Sequence, residues 1–324
     1  MMKIGITVRN LGGFGAEAGG IHACLDIARS AEALGYDSVW VADHVILPVE
    51  ATARYPYNES GRISATYRDA VYDPLVLISA LAQATERVEI GVAVLVIPYR
   101  HPLMTAKMLA TADQLSGGRV ILGAGVGWLE DEFTALGLPP EHFAHRGSVT
   151  NDYLRAMKEA WLNTGPSWYQ GRYVRFTDAG TFPHPVRQPH IPIWAGGKGE
   201  QVLIRAARLG NGYIAIASDP ATLREEVEQL RRFAEADRRD PSELTVAMTG
   251  AITVTASPAG TDRAPLTGTP QQIVEGLNQY VEAGLQHLVA TIRAVGDTSL
   301  EATRTAMEQV AREVRPALVE EGVR

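Results

Sequence analysis

The chain has 324 residues, 46% hydrophobic and 21% charged, with no apolar run near the roughly 18 residues that a membrane helix needs, which excludes membrane spans and wholesale disorder. Thirty basic against 37 acidic residues give a net charge of -7, so there is no electrostatic footprint for nucleic acid or an anionic membrane, and a small-molecule substrate is the expected partner. The single cysteine, Cys24, can form no internal disulfide, and the strand-like start shows no signal-peptide pattern, so a reducing cytoplasm is expected.

Short β-branched or apolar runs predict strands at residues 4–9, 38–42, 88–97, 119–124, 191–195, 212–216, 244–254 and 287–292. Between them, amphipathic spacing predicts helices at 21–34, 74–85, 102–115, 149–162, 200–209, 221–236, 270–283 and 300–319. Asp73-Pro74, Asp219-Pro220 and Thr269-Pro270 each set a capping side chain before a proline, whose missing N–H costs nothing in a first turn. This alternation predicts an α/β fold, a single (β/α)8 barrel domain over residues 1–324, with an open doubly wound sheet as the competing arrangement.

Three connections, residues 45–72, 163–190 and 256–268, exceed the usual loop length. The first and third follow strands, so in a barrel they are expected at the C-terminal face as pocket walls or lids. The first carries Tyr55, Tyr57, Tyr67 and Tyr72, and the second Trp168, Tyr169, Tyr173, Phe176 and Phe182. Such aromatics either line a pocket or pack a loop onto the barrel.

Asp43-His44 ends the second strand, where barrel enzymes keep reactive groups, and an imidazole suits proton transfer or hydrogen bonding to a reacting oxygen. Gly123-Ala124-Gly125-Val126-Gly127-Trp128 follows the fourth strand but does not fit G-x-G-x-x-G; it reads as a turn that lets backbone approach a ligand, or as a tight turn with nothing bound. Trp194-Ala195-Gly196-Gly197-Lys198-Gly199 follows the fifth and opens a helix, with the only lysine in that half of the chain, as a phosphate cradle would require. It is no Walker A, and Gly12-Gly13-Phe14-Gly15 after the first strand reads as a flexible loop. His142 and His145 beside Glu141 have the spacing of a weak metal site, but the segment reads as solvated and no metal is expected.

Taken in order, Gly35-Tyr36-Asp37-Ser38-Val39-Trp40-Val41-Ala42-Asp43-His44, Pro98-Tyr99-Arg100-His101-Pro102, Leu115-Ser116-Gly117-Gly118-Arg119, Gly125-Val126-Gly127-Trp128-Leu129 with Glu132-Phe133 and Gly137, and Pro192-Ile193-Trp194-Ala195-Gly196-Gly197 form a pattern that resembles the bacterial-luciferase-like flavin and deazaflavin oxidoreductases. The resemblance implies a TIM barrel with the cofactor ring at its C-terminal mouth, His44 and Asp43 as catalytic residues, and a homodimer. It implies a non-prolyl cis peptide behind the ring, matched here to Val94-Leu95. The ring would be lined by Asp43, Val94, Leu95, Gly125, Gly127 and Trp128, and the phosphate held by Ala195, Gly196, Gly197 and Lys198.

The segment from Leu95 to Pro102 and the glycine-rich turn look most like members that use coenzyme F420, a deazaflavin hydride carrier. The alternatives are an FMN-dependent monooxygenase served by a separate reductase, and a catalytically inactive cofactor-binding relative. Gly210-Asn211-Gly212 departs from the family's Gly-Asp-Gly, and Lys198, Arg205 and Arg146 are the candidates to meet an anionic cofactor tail.

Overall fold

The computed structural model describes residues 2–12, 19–51, 53–57, 60–61, 63 and 65–321; Gly13, Phe14 and Gly15 of the first loop lie outside them. The chain begins β1 (Lys3–Thr7), α1 (Ile21–Ala33), β2 (Ser38–Val41), α2 (Pro74–Ala84), β3 (Glu89–Val96), α3 (Pro102–Ser116) and β4 (Val120–Gly125). Two short helices, α4 (Glu130–Ala135) and α5 (Pro140–Ala144), precede α6 (Arg146–Leu162) and a hairpin of β5 (Ser167–Gln170) and β6 (Arg175–Ala179). Then come β7 (Ile193–Gly197), α7 (Glu200–Leu209), β8 (Gly212–Ile216), α8 (Pro220–Ala236), β9 (Thr245–Val254), β10 (Thr267–Gly268), α9 (Pro270–Glu282), β11 (His287–Ala294), α10 (Leu300–Gln309) and α11 (Arg315–Glu321).

Strands β1, β2, β3, β4, β7, β8, β9 and β11 pair in parallel in that order and β11 returns to β1, which closes a (β/α)8 barrel. These are the eight strands that the sequence pattern predicts, and the open sheet is ruled out by the β8–β9 pairing. The capping signals act as expected: Asp73 accepts from the N–H groups of Leu75 and Val76, Asp219 from Ala221 and Thr222, and Thr269 forms a capping box with Gln272.

The barrel is plugged by indoles. Trp40 and Trp194 meet at 5.5 Å between ring centroids, with Ile121, Ile214, Ala247 and Val289 around them. Room for these rings comes from strand positions without side chains: a Cβ on Gly5 or Gly91 would fall 2.5 or 2.2 Å from Trp40, and one on Gly212 would fall 2.7 Å from Trp194. Such a packed interior leaves only the C-terminal mouth open to a ligand.

Beneath the plug, the Trp40 indole N–H donates to Ser38 Oγ at 2.6 Å, and Ser38 shares a 2.7 Å hydrogen bond with His287 Nε2. The direction of this bond follows which ring nitrogen of His287 carries the proton. Burial pushes the His287 pKa down to about 4. Between that value and about 6.5 the unfolded chain binds a proton that the folded chain refuses, so stability falls as pH drops through this window. His287→Gln is therefore expected to remove about 3 kcal/mol of the acid-side loss between pH 7 and pH 4, read by urea denaturation of both proteins. An unchanged pH slope in the variant rejects this account of His287.

Candidate active site

Above the plug lies a cavity of about 810 Å³, walled by the C-terminal ends of the barrel strands, residues 144–148 and part of the β2–α2 connection. Its walls follow from strand alternation, which sends every second side chain inward. Val94 on β3, Gly125 on β4 and Gly196 on β7 form the next layer above the plug on one side. Val94 is nested between the two glycines: a Cβ on either Gly125 or Gly196 would come within 2.4 Å of it.

Of the residues singled out from the sequence, Asp43, His44, Val94, Gly125, Gly127, Trp128, Gly196, Gly197 and Lys198 line this cavity. Leu95 and Ala195 do not. Their inward-facing neighbours are Val94, Val96 and Gly196, so Leu95 and Ala195 turn outward into the core between barrel and helices. The non-prolyl cis peptide is Ala93–Val94, one bond before the expected Val94-Leu95, within a register shift of β3 against β4 between Val92 and Leu95.

Glu132 is the residue that motif reading left without a role. It sits on the first turn of α4, three residues after buried Leu129 and beside buried Phe133, and is itself fully buried. A carboxylate on the apolar face of a short helix was its sequence signal. Glu132 Oε2 is 2.8 Å from His44 Nδ1 and accepts from the Tyr99 hydroxyl at 2.8 Å, while Oε1 accepts from the N–H groups of Val45 at 2.7 Å and Ile46 at 3.3 Å. Burial raises the Glu132 pKa, but the hydrogen bonds from His44, Val45 and Tyr99 outweigh it and hold the carboxyl below its ordinary range. Burial, and then Glu132, push the Tyr99 phenol up, so Tyr99 stays a donor.

An ionised Glu132 accepts only, which places a proton on His44 Nδ1 and leaves Nε2 without a protein partner among the described residues. The His44 ring is edge-on to Trp128 at 6.2 Å, and Trp128 is edge-on to Tyr55 at 5.2 Å. Positive φ at Gly127 (82°) turns the chain where Trp128 is presented.

Asp43 plays a different part from His44. Its Oδ2 accepts from Val96 N–H at 2.9 Å and from Arg100 at 2.8 Å, and its Oδ1 accepts from Arg100 at 2.9 Å. Burial pushes the Asp43 carboxyl up and Arg100 opposes it. Both carboxylate oxygens are engaged in tying the end of β2 to the bulged end of β3.

At another part of the wall, the start of α6 and the turn before α7 bring Arg146, Gly147, Ser148, Gly197, Lys198 and Arg205 together. Arg205 is 6% exposed and has no carboxylate partner among the described residues; its Nε donates to Asn151 Oδ1 at 2.6 Å and its Nη2 to Gly147 O at 3.3 Å. Burial lowers its pKa to about 10. Among the described residues the buried Arg146 Nε has no hydrogen-bond partner, and neither helix has a side-chain cap. Buried guanidinium N–H groups at uncapped helix N-termini fit an anion such as a phosphate.

The other expectations divide. Tyr55 and Tyr57 of the 45–72 connection line the cavity, whereas no residue of 163–190 or 256–268 does. In the former, Tyr169 donates to Asp152 and the hairpin packs on α6; in the latter, β10 adds to β9. Arg119 of the Leu115–Arg119 segment is structural, donating to the carbonyls of Ala82, Thr85 and Val88. Among the described residues there is no cluster able to hold a metal, and no helix is long and apolar enough to cross a membrane.

The family model for luciferase-like monooxygenases matches residues 2–264, and the chain belongs to that family of oxidoreductases. It is 33% identical over 223 residues to the uncharacterized protein Rv0953c of Mycobacterium tuberculosis (strain ATCC 25618 / H37Rv), covering 68% of this chain and 77% of that protein. It is 30% identical over 215 residues to an F420-dependent glucose-6-phosphate dehydrogenase of Amycolatopsis mediterranei (strain U-32), covering 66% and 57%. It is also 30% identical over 177 residues to an FMNH(2)-dependent dimethylsulfone monooxygenase of Pseudomonas putida, covering 54% and 48%. The fold matches that of an F420-dependent secondary alcohol dehydrogenase with a TM-score of 0.77 at 19% identity, covering 98% and 99% of the two chains.

Removing the Glu132 carboxylate strands two backbone N–H groups, a phenol and an imidazole. Glu132→Ala is therefore expected to cost on the order of 2–4 kcal/mol in urea denaturation, and Glu132→Gln, which still accepts from Val45 and Ile46, less than half as much. Equal losses contradict the assigned bonds.

Proposed function

We propose that this chain is a coenzyme F420-dependent oxidoreductase that moves a hydride to or from a small organic substrate, with His44 exchanging the accompanying proton. The observation that carries this reading is the His44–Glu132 pair, with Nδ1 held by a buried carboxylate and Nε2 left for the cavity. The residues fit the cofactor at both ends: the bed of Val94, Gly125 and Gly196 admits a flat ring, and Arg146, Arg205 and Lys198 supply cations for an anionic tail. Likeness to an F420-dependent enzyme supports the choice, and likeness to an FMNH(2)-dependent one makes FMN the rival outcome.

Bound there, a deazaflavin would supply or accept the hydride. With neutral His44, Nε2 takes the proton from a substrate hydroxyl as carbon gives up hydride; in the reverse direction the imidazolium returns that proton to the oxygen. Glu132 remains ionised, fixes the ring orientation and stabilises the imidazolium. Asp43 and Arg100 hold the end of β3 at the cavity wall, and Tyr55, Trp128 and Ile63 would limit water around the reacting atoms.

Titration of the purified protein with F420 and with FMN, together with oxygen uptake, tests the reading. The expected result is F420 binding without oxygen uptake, weakened on the order of ten-fold or more in Arg205→Gln. FMN binding with oxygen uptake overturns it, and binding without turnover of any alcohol or carbonyl compound points to the inactive relative. Once a substrate is found in such a panel, His44→Ala is expected to lower turnover by about 10²–10⁴ with cofactor affinity unchanged. Turnover near that of the unmodified enzyme removes His44 from this role.

A further inference from the structure

The cavity has two unlike sides. On β3, β4 and β7 the layer above the plug is Val94, Gly125 and Gly196; across the barrel, on β9, β11 and β1, it is Thr249, Thr291 and Thr7. These three strands are consecutive around the barrel, and the pairing of Ile6 with Ala290 sets Thr7 and Thr291 side by side. Each threonine is partly exposed, and none of the three hydroxyls has a hydrogen-bond partner among the described residues.

Two residues further along β11, on the same inward-facing parity, stands Arg293 at the cavity rim. The same step along the chain from Thr7 leads to Arg9, whose guanidinium donates to Thr298 O at 3.1 Å. Burial, and then the charge of Arg293, depress the Arg9 pKa, so the two guanidiniums feel one another. Like charges held near each other are unfavourable. Arg293 itself has no ion pair or hydrogen bond among the described residues. The Arg146–Arg205 cradle lies on the β7 side, so Arg293 is not part of it.

We propose that Arg293, with Thr291 and Thr7, is a subsite for the carboxylate of an organic acid substrate, whose hydrocarbon part rests against Tyr55 and Trp128. The substrate class is then an aromatic or apolar carboxylic acid that carries the reacting hydroxyl or carbonyl group. A guanidinium at the rim offers paired N–H donors to the carboxylate, and the threonine hydroxyls turn to donate from below. This assignment deepens the oxidoreductase reading of the same cavity and rests on it.

Calorimetric titration with benzoate, and with benzamide as its uncharged counterpart, tests the subsite on the full-length protein, on Arg293→Gln and on Arg205→Gln. The expected result is one benzoate per chain, bound on the order of ten-fold or more tighter than benzamide, weakened by a similar factor in Arg293→Gln and retained in Arg205→Gln. Absence of benzoate binding, equal binding of benzoate and benzamide, undiminished binding in Arg293→Gln, or loss in Arg205→Gln instead each overturns it. F420 and FMN titrations of the same samples separate the two readings. Benzoate binding that depends on Arg293 in a protein that takes neither cofactor keeps the subsite and removes the oxidoreductase assignment; cofactor binding without benzoate binding does the reverse.

Discussion

The buried carboxylate of Glu132 is the group on which the mouth of the barrel depends. It accepts from the imidazole of His44, the phenol of Tyr99 and the backbone of Val45 and Ile46, and so joins the end of β2, the segment after β3 and helix α4 at one point. A carboxylate out of water is costly unless its lone pairs are met, and here four donors meet them. The same bonds that make its burial tolerable decide which nitrogen His44 turns to the cavity. Structural satisfaction and chemical readiness are thus one arrangement.

The rest of the site is the consequence of a plugged barrel. Trp40 and Trp194 fill the interior only because Gly5, Gly91 and Gly212 carry no side chains, and the plug confines ligands to one end. Above it, glycine recurs for a second reason, as Gly125 and Gly196 accommodate Val94 and keep one wall low and flat. Across the barrel the corresponding positions carry hydroxyls, and the two helix starts near Arg146 and Arg205 carry positive charge. The cavity therefore separates a flat bed, a cationic cradle, a polar arc and an imidazole held by a buried carboxylate within one ring of strands.

Much of this was legible in the sequence. The strand runs and the Asp-Pro and Thr-Pro caps mark the barrel because local patterning and tertiary structure agree. His44, the glycine-rich turn and Gly196-Gly197-Lys198 are visible because strand ends are where a barrel gathers its site. What was missed depends on register or on long-range contact. One residue of strand phase separates Leu95 from Val94 and Ala195 from Gly196, and a bulge in β3 moves that phase. Glu132 lies 88 positions from His44, and the threonine arc is assembled from three strands at opposite ends of the chain, so neither forms a local pattern. Of the two long connections expected at the mouth, residues 45–72 reach the cavity through Tyr55 and Tyr57, whereas 256–268 does not, because β10 is drawn onto β9; the hairpin of 163–190 follows a helix and is carried on the outer layer.

The central claim, that Glu132 fixes His44 with its proton on Nδ1 and its Nε2 free, is tested most directly by ¹⁵N NMR of the histidine side chains, with His44 assigned by its disappearance in His44→Gln. The account predicts that neutral His44 has a protonated Nδ1 and a bare Nε2, and that Glu132→Gln, whose amide donates to the ring, inverts this tautomer. A bare Nδ1 in the unmodified protein, or the same tautomer in both proteins, would contradict it.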